Sequence, residues 1–418
     1  MQLCIFEDIQ YRGFLPLAYL RPVSDLRCGA TTLGEKIAAC LPRTPVSLRV
    51  RPDMAEFWLE EERTVPVNSL SADDTWFVNA RAVADERLAK LLRRKKPRQC
   101  AYLSNGELAA VYVEGKNVHS AGGSRHELPG PDNFTGFPTE SFEGTLVRHP
   151  WDLVSHCARE IEKDFANRSA GRGNGGRARV QRGAYLLNRK NIRLSSGSVV
   201  QPGAVIDAGD GPVILGRNVT VMAHAFIQGP ACIGDGSVIK AGAKIYHGTS
   251  IGPRCKVGGE VEASIIQSYS NKQHDGFLGH SYIGSWVNIG AGTNTSDLKN
   301  TYGRVSVRLA DEEIDTGLQF VGLTMGDHSK TGIGALFSTG TVVGVSCNLL
   351  GPAPPPKYVP SFSWGEKGAF TVYDPDKAVV TAERVMARRD IRMGSAYERR
   401  MREVFATTAA ERRKGGIA

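Results

Sequence analysis

The stretch LGRNVTVMAHAFIQGPACIGDGSVIKAGAKIYHGTSIGPRCKV, residues 215–257, decides the fold. An aliphatic residue stands at every sixth position: Leu215, Val221, Ile227, Ile233, Ile239, Ile245, Ile251 and Val257. Such residues fill roughly a quarter of an ordinary chain, so eight in one given register arise by chance on the order of once in ten thousand to a hundred thousand tries. Small residues follow the middle members four positions on, at Ala225, Ala231, Ser237, Ala243, Thr249 and Cys255. Neither a 3.6-residue helix nor a period-two strand generates a six-residue repeat, which matches one short strand plus one corner. The aliphatic side chain enters a coil and stacks on its equivalents above and below, while the small residue lets the chain turn tightly. A solenoid of stacked coils is expected.

Working outward, the repeat resumes at Ile283-Gly284, Ile289-Gly290, Val321-Gly322 and Ile333-Gly334, with interruptions expected at 259–281 and 295–320. Loops that interrupt a rigid stack are where function collects. The solenoid domain is assigned to 180–350. The strip from Pro352 to Pro360 reads as its cap, because proline cannot donate to a further coil. Cap and helical tail occupy 351–418, with one or two exposed helices over Asp376–Lys414. Upstream, 1–166 reads as an α/β domain. Apolar runs at Leu3–Phe6, Trp76–Val78 and Ala109–Val113 alternate with helical patterns at Thr32–Leu41 and Ala84–Arg93, and a helix at Trp151–Phe165 closes the domain. The Gly- and Arg-rich 167–179 reads as a linker.

The 418 residues call for two domains plus appendages, and 47 glycines against 8% aromatics argue for tight turns rather than a helix bundle. A net charge of +9 favours anionic partners. Without a nucleic-acid motif, its Lys and Arg runs read as solvated faces or linker, so no nucleic acid is expected. Eight scattered cysteines with no C-x-x-C pair suit a reducing cytoplasm. No signal peptide or membrane-spanning stretch is read.

At this point the chain resembles the left-handed parallel β-helix of hexapeptide-repeat acyltransferases, a family that assembles as trimers. The handedness and a homotrimer are implied by that resemblance. Within it, His274-Asp-Gly-Phe277-Leu-Gly279 followed by Val287-Asn288-Ile-Gly-Ala291-Gly-Thr293 resembles the acetyltransferase domain of the bifunctional N-acetylglucosamine-1-phosphate uridylyltransferase/glucosamine-1-phosphate acetyltransferase family. An ammonium cannot attack a thioester until it loses a proton, and a neutral imidazole titrates in the range to take it. The resemblance places the catalytic base on His274, sugar contacts on Lys272, Asn288 and Asp297, and backbone contacts for the cosubstrate acetyl-CoA at Ala291 and Ala335. It departs at Phe277 for a tyrosine, at Asp297-Leu298 for an Asn-Tyr pair, and at Glu260-Val-Glu262 where a basic residue belongs.

The N-terminal segment Leu20-Arg21-Pro22 to Leu26-Arg27-Cys-Gly29 and Glu35-Lys36 looks like a divergent variant of the uridylyltransferase half. Arg21, Arg27 and Lys36 would neutralise a nucleoside triphosphate. Asn79 stands where a Mg²⁺-binding Asp is expected, with Asp73 or Asp74 as helpers. The leading expectation is therefore acetyl transfer to an amino sugar 1-phosphate, together with uridylyl transfer to N-acetylglucosamine 1-phosphate. Two others stay open. One is a sugar-1-phosphate nucleotidyltransferase only. The other is a γ-carbonic-anhydrase-like metal site drawn from His224, His247, His274 and His280, or a non-catalytic trimeric scaffold.

Overall fold

A computed structural model describes residues 1–60, 65–95, 97–118, 128–167, 177–309, 312–367 and 369–417. Most of the expected linker, 168–176, lies outside the described residues.

The eight aliphatic residues of the repeat are all buried, none more than 1% exposed. Parallel pairing sets the coil length. Leu215 lies beside Ile233 and Ile233 beside Ile251, while Val221, Ile239 and Val257 form the next column. Three six-residue steps thus close one triangular coil. Short strands stack into three parallel faces. The first begins at Arg179–Val180, the second runs from Tyr185–Leu187 to Phe277–Gly279, and the third holds nine strands from Ile192–Leu194 to Tyr358–Val359.

Two sequence expectations change. Residues 259–281 stay within the stack: Val261 pairs with Ile245 and Leu278, and Ile266 with Ile251 and Ile283. Corners there are shortened, which breaks the period without breaking the coil. Past Thr295, which still pairs with Phe337, the segment to 320 does leave the stack, carrying an antiparallel hairpin of Ser306–Leu309 with Glu312–Asp315. Nor does the proline strip end the solenoid. Tyr358–Val359 and Ser363–Gly365 pair with the preceding coil, and Pro352 to Pro356 lie between strands, where no ladder donor is needed.

The N-terminal domain is a six-stranded mixed sheet in the order Val46–Arg49, Gln2–Phe6, Thr75–Asn79, Glu107–Val113, Cys100–Ser104, Thr139–Ser141, parallel across its first three strands. The helix Pro150–Ala166 turns Leu153, Cys157 and Ile161 toward the third solenoid face. Ile214, Cys232, Ile265 and Tyr282, the outward residues of that face, share their core cluster. The face is apolar on both sides because both sides are buried. The tail forms three helices, Pro375–Ala387, Ser395–Thr407 and Ala409–Lys414, and is not merely exposed: Ala378, Val379, Ala382, Met386, Met401 and Val404 are buried. All eight cysteines are buried and free. No helix among the described residues is long and apolar enough to cross a membrane.

Candidate active site

At the corner after the first face, three coils present aligned segments to one cleft of about 280 Å³, lined by Gln273 and His274, by Asn288 to Ala291, and by Thr331 to Ile333. The structure therefore brings together His274, Asn288 and Ala291, which the sequence motif had singled out. The wall is tied coil to coil. The Gly334 N–H donates to the Ala291 carbonyl at 2.7 Å, and the Gly290 N–H donates to Thr331 Oγ1 at 2.8 Å. A β-carbon at Gly290 would lie 2.1 Å from the Gly332 carbonyl oxygen, so glycine is required for that close approach. His274 is exposed at the cleft, in the place where a base can meet an incoming nucleophile.

Other expected site residues sit elsewhere. Lys272 is turned away from the cleft. Its register pairs it with Val257, whose side chain points into the coil, and it is 3% exposed. Its ammonium donates to the carbonyls of Gly258 and His274, each at 3.0 Å, and burial pushes the amine down to about 8. It holds the His274 corner from behind. Asp297 is bonded to His280, with Nδ1 and Oδ2 2.8 Å apart, and Phe320 stacks on the imidazole. The pair pins the start of the inserted segment to the solenoid. Ala335 is buried behind the cleft lining, and its carbonyl accepts from the Asn294 N–H.

The N-terminal candidates are committed to protein partners. The Arg21 guanidinium, 7% exposed, grips Asp327 at 2.5 Å and Ser285 Oγ at 2.9 Å across the domain boundary. Lys36 is held between Asp164 at 2.5 Å and Glu160 at 3.2 Å. Arg27 is buried and donates to the Ala30 carbonyl, and its own carbonyl accepts from the Tyr282 hydroxyl. None of the three offers an open cationic group. Asn79 is fully buried, donating to Asp8 and to the Leu108 carbonyl while its oxygen accepts from the Arg81 N–H. Asp8 is in turn paired with Arg81 at 2.6 Å. An engaged amide beside a neutralised carboxylate does not fit Mg²⁺, which takes carboxylate and phosphate oxygens with several waters. Asp74 accepts bonds from Tyr112 and the Gly115 N–H, and Asp73 from Ser71.

His247 lies 3.8 Å from Glu262, and His224 is exposed on another corner. Among the described residues of one chain, no three His, Cys, Asp or Glu side chains gather as a metal site. Thr331 and Gln273 were not foreseen. Thr331 precedes the Ile333-Gly334 repeat, but an intervening excursion of unknown length hides from sequence which coil it joins.

Residues 3–173 match the family model described as sugar nucleotidyl transferase. The bifunctional protein GlmU of Synechococcus sp. is 27% identical over 177 residues, covering 42% of this chain and 34% of that protein. GlmU of Acidithiobacillus ferrooxidans is 31% identical over 147 residues, covering 34% and 30%. Over these stretches the chain is similar to the GlmU proteins. It spans about a third of the length of these curated relatives. A putative uncharacterized acetyltransferase of Escherichia coli, YaiX, is 28% identical over 165 residues, 39% of this chain and 69% of that one. Among solved structures, a UDP-N-acetylglucosamine acyltransferase from Campylobacter jejuni aligns over 53% of this chain and 94% of its own at 12% identity, with a TM-score of 0.24.

Proposed function

We propose that the protein is a transferase of sugar-nucleotide biosynthesis that moves an acetyl group from acetyl-CoA to the amine of an amino sugar 1-phosphate. The observation that carries this reading is the meeting of His274, Asn288 and Ala291 in one cleft. His274 takes the proton from the attacking ammonium, and the amine then attacks the thioester carbonyl and expels the thiolate. Asn288 orients the sugar through its amide. Backbone groups at Ala291 hold the pantetheine arm. The exposed cleft rim, with Ile333 at 81% exposure, suits closure by a neighbouring subunit of a homotrimer. The buried, unpaired thiols suit a reducing cytoplasm.

On this reading the N-terminal domain is a docking base whose Arg21 and Lys36 are held in ion pairs with this chain's own carboxylates. A second reading, uridylyl transfer, is favoured by the family match over 3–173 and requires Arg21 and Lys36 to leave their carboxylates. The test is a panel: acetyl-CoA with several amino sugar phosphates, and UTP or dTTP with sugar 1-phosphates and Mg²⁺. Thiol release with glucosamine 1-phosphate is expected. Pyrophosphate release without any thiol release would replace the first reading by the second.

A further inference from the structure

The outward side of the first face leads from the cleft to a group of cations that the site described above does not use. Lys256, Asn271, Asn288 and Lys330 are consecutive rungs on that face. With strands about 4.8 Å apart, Lys256 stands two rungs, roughly 10 Å, from Asn288 in the cleft. In the adjoining corner column, Gly258 separates Lys240 from the cleft residue Gln273. A β-carbon on Gly258 would sit 3.1 Å from Lys240 Cβ and 2.4 Å from the Gln273 carbonyl, so the bare glycine lets these coils stack closely and brings Lys240 near the cleft corner. The tail then adds Arg388 and Arg389, just after the helix Pro375–Ala387. Arg389 is anchored by a 2.8 Å bond from its guanidinium to Asn271 Oδ1, a neutral acceptor.

No carboxylate pairs with Lys240, Lys256, Arg388 or Arg389 among the described residues. By contrast, the N-terminal domain's Arg21, Lys36, Arg51 and Arg81 each have a carboxylate partner. The cations repel one another: the Arg389 charge, with partial burial and the charges of Lys240 and Arg388, holds the Lys256 amine below its ordinary range. A fold gains nothing from crowding four like charges unless an anion relieves them. Asn271, rather than an acid, as the anchor of Arg389 leaves the positive field uncancelled.

We propose that Lys240, Lys256, Arg388 and Arg389 form an anion site that takes a phosphate group of a ligand reaching into the cleft, so that the C-terminal tail completes the binding surface. This rests on the acyl-transfer reading for the identity of the ligand, and on the cation cluster alone for the binding of phosphate. Both acetyl-CoA and an amino sugar 1-phosphate carry such a group.

The experiment uses the full chain, with Lys256→Met and Arg389→Met singly and together. Pyrophosphate binding by calorimetry is read alongside KM for acetyl-CoA against dephospho-CoA, and for glucosamine 1-phosphate against glucosamine. Each substitution is expected to weaken pyrophosphate binding about tenfold, the scale of one charge-assisted contact. A matching rise in KM confined to acetyl-CoA assigns the donor phosphate, and one confined to glucosamine 1-phosphate assigns the acceptor. If the double variant binds pyrophosphate as the wild type does, the anion site is wrong. Absence of thiol release in the wild type sinks the acyl-transfer reading instead, while the pyrophosphate titration still decides the site. Should the Met variants fail to fold, Lys256→Gln and Arg389→Gln carry the same measurement.

Discussion

The polar candidates of the N-terminal domain and the cleft on the solenoid both offer residues with chemical capability, but they are finished differently. In the N-terminal domain three candidates are answered from within the protein: Arg21 by Asp327, Lys36 by Asp164 and Glu160, Asn79 by Asp8. In the cleft, the backbone is tied down by Thr331 and Lys272 while His274 and Asn288 are left exposed. Satisfied polar networks make rigid interfaces, and chemistry needs groups that are oriented but unspent. On the acyl-transfer reading, the N-terminal candidates are a joint and the cleft is the workplace.

The largest effect should come from breaking the joint. Arg21→Met leaves Asp327 charged and buried at 1% exposure, a loss of about 3–5 kcal/mol of unfolding free energy. Urea unfolding measures it. An unchanged midpoint would mean that the guanidinium is free to serve a nucleotide. Next in size, acetyl-CoA at a hundred times its Kd should add about 2.7 kcal/mol to unfolding, and UTP with Mg²⁺ nothing. Stabilisation by UTP alone would invert the comparison.

A smaller effect tests the tail's part in the joint. His328 is buried, bonded through Nε2 to the Tyr397 hydroxyl at 2.7 Å, and stacked with Trp286. Burial, with the charges of Lys330 and Arg21, holds its pKa well below the ordinary 6.5. The unfolded chain therefore binds a proton that the folded one refuses. Stability is complete above about pH 6.5 and falls below it, by at most about 1.4 kcal/mol per pH unit. Melting curves between pH 7.5 and 5 should show that slope, and His328→Gln should flatten it. Smallest of all, Asp297→Asn weakens the partly exposed His280 contact by about 1 kcal/mol. A loss several times larger would make that pair part of the core rather than a pin for the inserted segment.

The solenoid was legible because its rule is local: eight aliphatic residues at one spacing report the coil directly. The rule fails where corners shorten. Counting in sixes from Val257 does not reach Lys272, so only the paired register reveals that this lysine points inward. His274, Asn288 and Ala291 were legible through their motif, and their meeting in a cleft needed three coils in place. The ion pairs of Arg21 and Lys36 were not legible, for a different reason. Their partners lie 306 and 128 residues away, and no spacing rule predicts a pair at that separation. The prolines were read for what they forbid. The chain uses them where nothing is forbidden, between strands.

The most direct test of the cleft as workplace is the rate of thiol release from acetyl-CoA with glucosamine 1-phosphate in wild type and His274→Gln. Loss of the base should lower kcat by roughly 10²–10⁴-fold with the melting temperature unchanged. Equal turnover in a folded His274→Gln protein would contradict the account.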